Sequence, residues 1–451
     1  MKQFLIILYI FSGITLFISS CVAKKEMTSS ITANPKDVLM DRVQKETFLY
    51  FWEACEPVSK AARERLHMDD VYGIHHKDIT TSGGTGFGIM ALIVGIERGF
   101  ISRKEGFERL QHLVDWLEKA EKFHGAWSHW WNPDGTAYPF SRYDDGGDLV
   151  ETAFLAQGLI VARQYFKKGN PEEIVLAQKM DALWRNIEWS WYTKGGENVL
   201  YWHWSPKHGW KMNFPVGGYN ECLIMYVLGA SSPTFPIKPE VFHQGFMRNG
   251  DIVSDKKLYG IETVLDHYEN DDIAVGPLFW SHYSFLGLDP RGLKDQYADY
   301  WKLCRNHVEI HYEHAKRNPY DYKGYSEKCW GMTSSYSING YSGHNPQEDL
   351  GVISPTAALS SFPFLPEAAY DFLAYLYENK PQYIGKYGPY DAFSEQSDWF
   401  VPHYLAIDQG PIPVMIENHR SGLLWDLFMS APEIQQGLDK LGFTYRKVNS
   451  Y

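Results

Sequence analysis

Residues 143–166 read YDDGGDLVETAFLAQGLIVARQYF, an acidic turn with two glycines that leads into a long apolar segment. Beyond position 148 the apolar side chains recur at three- and four-residue steps, which is the periodicity of an α-helix. The stretch 152–161 carries no charge and contains Ala153, Ala156 and Gly158. We therefore expect a helix that is buried on all sides.

The same contrast between apolar and amphipathic helices recurs along the chain. Residues 86–95 are apolar and rich in small side chains, whereas 102–122 and 172–191 are clearly amphipathic. Alternation of buried helices with half-exposed ones suits two concentric layers, and no fixed repeat period points to a solenoid. The sequence therefore predicts an all-α fold, an (α/α)6 barrel, with strands confined to short hairpins in the loops such as 199–204. The helical pattern covers residues 38–66, 86–98, 102–122, 148–166, 172–191, 219–228, 291–316, 367–377 and 412–429.

The N-terminus has the pattern of a secretory signal. Lys2 is followed by an apolar run from Phe4 to Phe17 and then by Ile-Ser-Ser before Cys21. Such a run is too short for a membrane span, and a Cys after small residues resembles the bacterial lipobox. An ordinary signal with an incidental cysteine is the alternative. The pattern divides the chain into a lipoprotein-type signal peptide at 1–20, a tether at 21–36 and one domain at 37–451.

This reading predicts an exported protein whose only membrane contact is a lipid on Cys21. Lys24 and Lys25 follow the cysteine, and no acidic run of the kind used for surface export is present there. We therefore expect a lipid anchor in the bacterial outer membrane, on its periplasmic side.

Charge and cysteine content exclude several classes of partner. The chain has 43 Lys and Arg against 55 Asp and Glu, a net charge of −12, which argues against nucleic acid and strongly anionic polysaccharides. The remaining cysteines form no CxxC pair and have no histidine at zinc spacing, so we expect no metal and no cofactor. We also expect a monomer. Export permits disulfides, but Cys55 and Cys222 lie within apolar helical runs and fit buried thiols equally well, so the sequence leaves the disulfide state of these two and of Cys304 and Cys329 open.

Aromatic residues are abundant, with 16 Trp, 30 Tyr and 25 Phe, and many lie in polar, glycine-rich stretches. Examples are 127–131, 201–204 and 322–325. A single aromatic is explained by core packing, but loops that combine aromatics with polar groups suit sugar rings, whose C–H faces stack on aromatic planes. Together they predict a carbohydrate cleft. The expected substrate-binding residues are Trp130, Trp131, Tyr143, Trp204, Tyr219, Tyr390, Asp391 and Glu417.

The acidic turn supplies the first group of candidate catalytic residues. Asp148 and Glu151 are three positions apart and share one helix face, so a helix cap explains both of them. A cap does not explain Asp144 and Asp145 in the turn just before. Clustered carboxylates raise one another's pKa, as a catalytic acid requires.

Two further acids lie near apolar helices. Glu221 is the only acid in the segment 217–225, where it either favours the positive helix end or stays protonated as a general acid. Asp408 precedes a Gly-Pro turn into the last buried helix and is expected to face an end of the barrel. Glu417 lies inside that helix, either paired in the core or pointing into the cleft.

Several motifs, in collinear order, resemble the glycoamylase-like domain, and within it glycoside hydrolase family 144, whose enzymes act on β-1,2-glucan. They cover nearly the whole chain after the tether. The resemblance implies an (α/α)6 barrel, an inverting hydrolytic mechanism and no metal. The motifs are Gly86-Phe87-Gly88, residues 95–99, the cluster 144–151, residues 218–221, residues 407–411 and residues 416–422.

Roles carried over from this resemblance fall on five carboxyl groups. Glu221 matches the acid that protonates the departing oxygen, and Asp408 matches a further essential carboxylate. Asp144, Asp148 and Glu151 match an acidic cluster implicated in binding and water activation. Which carboxylate activates water is left open by the sequence.

Two other functions compete with inverting hydrolysis, which uses a carboxyl and a carboxylate about 6.5–9.5 Å apart. A toroidal polysaccharide lyase would use Tyr, His and Asn, of which this chain has many, including His129, His203, Tyr219 and Asn339. Lyases need uronic acids and usually a cationic cleft, and the acidic balance argues against one. A non-catalytic glycan-binding lipoprotein would not need an apolar-flanked acid such as Glu221.

Overall fold

The computed structural model of the protein describes residues 34–72, 77–267 and 275–448. The predicted signal peptide and Cys21 lie outside these residues, and the first helix already begins at Pro35, inside the predicted tether. The α-helices of the described residues are α1 (Pro35–Glu53), α2 (Ser82–Glu97), α3 (Arg103–Leu117), α4 (Leu149–Phe166), α5 (Pro171–Arg185), α6 (Leu223–Ser231), α7 (Tyr300–Arg317), α8 (Pro355–Leu359), α9 (Pro366–Asn379), α10 (Ala406–Gln409), α11 (Pro411–Arg420), α12 (Leu423–Met429) and α13 (Pro432–Lys440).

All strands in these residues are short, and they form two-stranded pairs except for one three-stranded sheet, β2-β5-β6. The prediction of a helix-rich fold with short strands in the loops is confirmed. The strands are β1 (Arg65–His67), β2 (Thr80–Thr81), β3 (Lys122–Phe123), β4 (Ala126–Trp127), β5 (Trp130–Trp131), β6 (Ala137–Tyr138), β7 (Gly147–Asp148), β8 (His203–Trp204), β9 (Lys257–Leu258), β10 (Ile261–Glu262), β11 (Ser334–Ser337), β12 (Gly340–Gly343), β13 (Ile384–Gly385), β14 (Gly388–Pro389), β15 (Ala392–Ser394), β16 (Trp399–Val401) and β17 (His403–Leu405).

The apolar helices α2 and α4 form the centre of the core and pack closely on each other. Their backbones meet at glycines: a Cβ added at Gly86 would lie 2.2 Å from the carbonyl oxygen of Phe154, and one at Gly158 would lie 2.3 Å from that of Gly86. All of α2 from Ser82 to Gly95 is buried. The amphipathic helices α3 and α5 cover this pair from outside, as their patterns predict.

The structure corrects several predicted boundaries. The pattern at 38–66 is wrong beyond Glu53, because the chain leaves the helix there and Arg65 begins strand β1. The pattern at 412–429 is two helices, separated by Gly422 at φ +75°. The residues 199–204 form no hairpin: β8 instead pairs antiparallel with β7, which places His203 opposite Asp148.

Further overextended predictions share one cause. The helix predicted at 102–122 ends at Leu117, that at 172–191 ends at Arg185, and that at 291–316 begins only at Tyr300. In each case the extra residues, 118–122, 186–191 and 291–299, contain no proline, so the sequence does not mark where the helix ends. Within residues 34–72, 77–267 and 275–448, no helix combines the length and apolarity needed to cross a membrane.

Candidate active site

A cavity of about 410 Å3 opens where the N-terminal ends of four helices meet. Thr81 precedes α2, Glu151 lies in the first turn of α4, Glu221 stands just before α6, and Ile407 belongs to α10. Helix N-termini carry partial positive charge and therefore favour carboxylates. The lining residues are Glu64, Arg65, Thr81, His129, Trp130, Phe140, Val150, Glu151, Phe154, Trp202, Glu221, Phe279, Tyr283, Tyr341, Leu405 and Ile407.

Asp148 is a helix cap and also holds the cavity wall in place. Its Oδ1 accepts a hydrogen bond from the backbone N–H of Glu151 at 2.9 Å. Its Oδ2 lies 2.8 Å from His129 Nδ1 and accepts a hydrogen bond from Trp202 Nε1 at 3.0 Å. His129 and Trp202 line the cavity, whereas Asp148 is fully buried and does not. The Asp148 carboxylate therefore holds these two cavity-lining side chains in position from behind the wall.

Asp144 lies in the same buried layer, between two histidines. Its Oδ2 is 3.4 Å from His129 Nδ1 and 3.3 Å from His203 Nε2. Burial alone would raise the pKa of Asp144, but these histidines hold it well below its usual range. Burial likewise disfavours a charged His129, yet the carboxylates of Glu151, Asp144 and Asp148 hold its pKa well above the ordinary value. His129 is therefore protonated and is held between the carboxylates of Asp144, Asp148 and Glu151.

Glu151 reaches the cavity itself. Its Oε2 accepts hydrogen bonds from the backbone N–H of Gly83 at 2.9 Å and from Thr81 Oγ1 at 3.3 Å. Burial raises the pKa of Glu151 to about 7, with His129 opposing the rise and Asp148 adding to it. Three donors or cations thus face this carboxyl.

Glu221 faces the same cavity but has fewer stabilising neighbours. Burial, together with the charges of Glu151 and Asp148, raises the pKa of Glu221 to about 7, although its own backbone N–H and the Cys222 thiol favour the carboxylate. The structure contains no ion pair to Glu221 within the described residues. As expected, this acid stands in an apolar setting at the head of a buried helix, two residues before Leu223.

Asp408 and Asp391 form a second acidic pair, next to the cavity and not on its wall. Both are buried, and Asp391 Oδ2 accepts a hydrogen bond from the backbone N–H of Tyr336 at 2.8 Å. Burial and the neighbouring Asp391 raise the pKa of Asp408 well above its usual range. Burial also raises the pKa of Asp391, to about 6. Two like carboxyls in contact cannot both ionise easily, so the pair holds a shared proton.

The predicted aromatic contacts divide into two groups. Trp130 lines the cavity, and Phe140 lies beside it with its ring stacked on His129 at 4.1 Å between centroids. Trp131 is fully buried against Trp116 and belongs to the core. The other predicted aromatics do not line the cavity; these are Tyr143, Trp204, Tyr219 and Tyr390.

Glu417 lies far from this cavity. Its carboxylate makes a two-pronged ion pair with the guanidinium of Arg98, at 2.5 Å and 2.8 Å. Arg98 follows the C-terminal end of α2, whereas the cavity lies at the N-terminal end, about 24 Å away for sixteen residues of helix. Of the two interpretations left open for Glu417, the structure supports the buried pair.

Sequence reasoning missed most of the cavity wall, including Glu64, Arg65, Trp202 and Tyr283. Arg65 pairs with Glu64, with 2.9 Å from Nη2 to Oε1, and its Nη1 donates to Tyr336 Oη at 2.5 Å. Tyr283 is buried and its pKa is raised well above the usual value by burial and by the nearby Asp408. The pair Glu64-Arg65 lies in a predicted helix, which hid it, and Tyr283 has no distinguishing pattern. Trp202 could have been found in the aromatic stretch 201–204.

Two groups of side chains bring possible metal ligands within 4.8 Å of one another in the described residues. One is His129 with Asp144 and Asp148, where the histidine is already engaged by Asp148. The other is His67, Asp69 and His403, where the two imidazoles stack in parallel at 3.5 Å. Lone pairs in parallel ring planes do not converge on one ion, so this group does not fit a metal as it stands. The four cysteines of the described residues are free and buried.

Known proteins match this chain over nearly its whole length. The Glycoamylase family model matches residues 213–432. The endo-β-1,2-glucanase of Chitinophaga pinensis, solved with sophorotriose and glucose, is 55% identical, with a TM-score of 0.89 over 92% of this chain and 99% of that chain. A β-1,2-glucanase structure from Parabacteroides distasonis is 38% identical, with a TM-score of 0.85 over 91% of this chain and 60% of that chain.

A curated relative is the exo β-1,2-glucooligosaccharide sophorohydrolase (non-reducing end) of Parabacteroides distasonis. It is 40% identical over an alignment of 439 residues that covers 92% of this chain, and the chain spans 59% of that relative's length. The resemblance inferred from the sequence motifs is confirmed. The chain belongs to the glycoamylase-like family, together with the Chitinophaga pinensis endo-β-1,2-glucanase.

Proposed function

We propose that the protein is a glycoside hydrolase that cleaves β-1,2-glucan or its oligosaccharides. One observation carries the proposal: Glu151 and Glu221 line the same aromatic cavity, and both have a pKa of about 7. Hydrolysis of a glycosidic bond needs one carboxyl that gives a proton and one carboxylate that receives one. The β-1,2-glucan specificity is supported by the names of the relatives at 55% and 40% identity.

Glu221 is the proton donor in this proposal. Glu151 faces the His129 cation and accepts the Gly83 N–H, both of which favour its ionised form, whereas the carboxyl of Glu221 faces no cation and is stabilised as a carboxylate only by its own backbone N–H and the Cys222 thiol. When two carboxyls compete for a proton, the one with fewer stabilising contacts keeps it. Glu221 therefore protonates the glycosidic oxygen as the bond from that oxygen to C1 breaks.

A carboxylate on the opposite side takes a proton from water as the water oxygen bonds to C1, and the anomeric configuration inverts. Glu151, which lines the cavity, and Asp408, which is buried beside it, are the two candidates. Azide distinguishes them. In the variant that lacks the base, Glu151→Gln or Asp408→Asn, azide should replace the activated water and yield an inverted glycosyl azide. The variant of the residue that is not the base should yield none.

The substrate is tested by incubating the protein with linear β-1,2-glucan, starch and β-1,3-glucan. We expect products from β-1,2-glucan at the highest rate, with the α-anomer first in the NMR spectrum. Faster cleavage of starch would overturn the linkage. An unsaturated product that absorbs ultraviolet light would indicate a lyase, and retention of glucan without any product would indicate a binding protein.

We also propose that the helices form an (α/α)6 barrel. The burial of α2, α4, α6 and α11 supports their assignment to an inner layer, and the amphipathic α3, α5 and α13 suit an outer one. A crystal structure in which the two layers fail to close into a ring would contradict this arrangement.

We propose, further, that the protein is exported, monomeric and anchored to the outer membrane through a lipid on Cys21. The lipobox-like Ile-Ser-Ser before Cys21 supports the anchor. Cys21→Ala should move the protein from the membrane to the soluble fraction. A variant that still sediments with membranes would exclude the anchor, and sedimentation velocity of the released form measures its oligomeric state.

A further inference from the structure

A second cavity, of about 490 Å3, lies outside the acidic site and shares no lining residue with it. Two partly exposed aromatic residues line it: Trp191 is 39% exposed and Phe235 is 36% exposed. Its lining residues are Glu188, Ser190, Trp191, Thr193, Gly195, Gly196, Glu197, Asn198, Phe235, Pro236, Ile237, Lys238 and Val241.

The indole of Trp191 is fixed by neighbouring rings and is still partly exposed in the cavity. The ring of His124 stacks on it at 3.8 Å between centroids, with 19° between the planes, and the ring of Trp210 lies 6.2 Å away at 34°. A rigidly held indole with an exposed part is a suitable platform for a pyranose ring, whose C–H groups pack on aromatic planes.

Polar groups surround this platform, and their charges nearly balance. Glu188, Glu197 and Lys238 line the cavity together with the amide of Asn198. Glu188 is within 3.2 Å of His124, and Glu197 accepts a hydrogen bond from Tyr201 Oη at 2.6 Å. A mixture of acceptors and donors without a dominant charge suits a neutral, hydroxyl-bearing ligand better than an anion.

The cavity lies directly behind the acidic site. His203 and Trp204 are neighbours on β8, and successive strand side chains point to opposite faces. His203 contacts Asp144 in the acidic layer, whereas the ring of Trp204 contacts that of His124 at 5.0 Å and that of Trp191 at 6.5 Å. The pair β7–β8 therefore separates the two cavities.

We propose that the cavity around Trp191 and Phe235 is a second, non-catalytic site that binds a neutral glucan chain. The identity of the ligand rests on the proposed function. A chain held behind the β7–β8 pair stays near the acids between cleavage events, so the site acts on long chains and not on short ones.

The test compares Trp191→Ala, Phe235→Ala and the control Phe400→Ala, an exposed aromatic at 41% that lines neither cavity. KM is measured on long β-1,2-glucan and on a β-1,2-linked tetrasaccharide, and mobility is measured in gels containing the glucan. We expect the first two variants to raise KM for the long chain about threefold to tenfold and to migrate faster in the glucan gel. Their KM for the tetrasaccharide and all values for Phe400→Ala should equal those of the wild type.

Thermal unfolding checks each variant, and Phe235→Ala decides the question if Trp191→Ala does not fold. If Trp191→Ala and Phe235→Ala both keep the wild-type KM and gel mobility while they cleave both substrates, the second site is overturned. The proposed function is not affected by that result. Failure of the wild type to cleave or bind any β-1,2-glucan would overturn both.

Discussion

Asp148 Oδ1 accepts a hydrogen bond from the backbone N–H of Glu151 at 2.9 Å, while Oδ2 of the same carboxylate contacts His129 at 2.8 Å. Asp148 is therefore both the cap of a helix and a residue of the site. The first turn of α4 is capped by the group that also orients the wall of the cavity.

Replacement of Asp148 by Asn and by Ala should separate these roles. Asn retains an oxygen for the Glu151 N–H, whereas Ala loses the cap, which is worth about 0.5–2 kcal/mol. We expect Asp148→Ala to unfold at lower urea than Asp148→Asn, and both variants to lose kcat/KM because the charge beside His129 is gone. Equal stability of the two variants would contradict the role as a cap.

Glu221→Gln should lower kcat by about 10²–10⁴ while KM changes little, because glutamine cannot donate the proton. A β-1,2-linked glucoside with a good leaving group needs no protonation, so the variant should hydrolyse it at nearly the wild-type rate. Steady-state kinetics on both substrates measures the contrast. Normal turnover of the glucan by the variant would exclude Glu221 as the acid.

The same variant should change how stability depends on pH. The pKa of Glu221 is about 7 in the folded protein and about 4.5 when unfolded, so the folded state binds the extra proton between these values. Its contribution to stability is present below about pH 4.5 and is lost as pH rises through 7. Relative to the wild type, Glu221→Gln should gain about 3 kcal/mol across this window. Urea unfolding at several pH values measures it, and a constant difference would contradict a buried, protonated Glu221.

Asp391→Asn should move the acidic limb of the pH–rate profile to lower pH. Asp391 raises the pKa of Asp408, so its neutral replacement lets Asp408 ionise more easily. The pH dependence of kcat/KM measures the shift, with Asp349→Asn, a buried acid bound to His314, as the control. If the acidic limb of the profile stays at the same pH in Asp391→Asn, the Asp391–Asp408 pair does not determine its position.

Glu417→Gln should destabilise the protein and leave catalysis unchanged. The change weakens the buried ion pair with Arg98, at a cost of about 1–3 kcal/mol. Urea unfolding should show this loss, whereas KM and kcat on β-1,2-glucan should remain those of the wild type. A raised KM at unchanged stability would return Glu417 to the substrate-binding residues.

The buried helices α2 and α4 were predictable because a helix that is buried on all sides has few charged residues and many apolar and small ones. The segments 86–95 and 152–161 lack charge and contain glycines at the points where α2 and α4 meet. Helix ends were harder to predict, since no proline in residues 291–299 marks the start of α7 at Tyr300.

Site residues were predictable where an acid stands out from its surroundings. Glu221 and the turn at 144–151 interrupt apolar segments, and the structure brings them together at one cavity or directly behind it. Glu64 and Tyr283 do not stand out, because their role depends on contacts between segments far apart in the chain. Asp391 and Asp408 are seventeen positions apart, and they become a pair because the backbone N–H of Asp391 donates to the carbonyl of His403 in β17, the strand that leads into α10.

The contact between Gly86 and Gly158 sets a limit on how this scaffold can diversify. With no side chains between the two backbones, the distance from Gly83 to Glu151 at the helix mouths cannot be adjusted by small core substitutions. Even a methyl group there would wedge α2 from α4 and withdraw the N–H that holds the carboxylate. New substrate preferences would have to arise in the surrounding loops, such as the β11–β12 hairpin that carries Tyr341. The α2–α4 contact that supports Glu151 would stay the same.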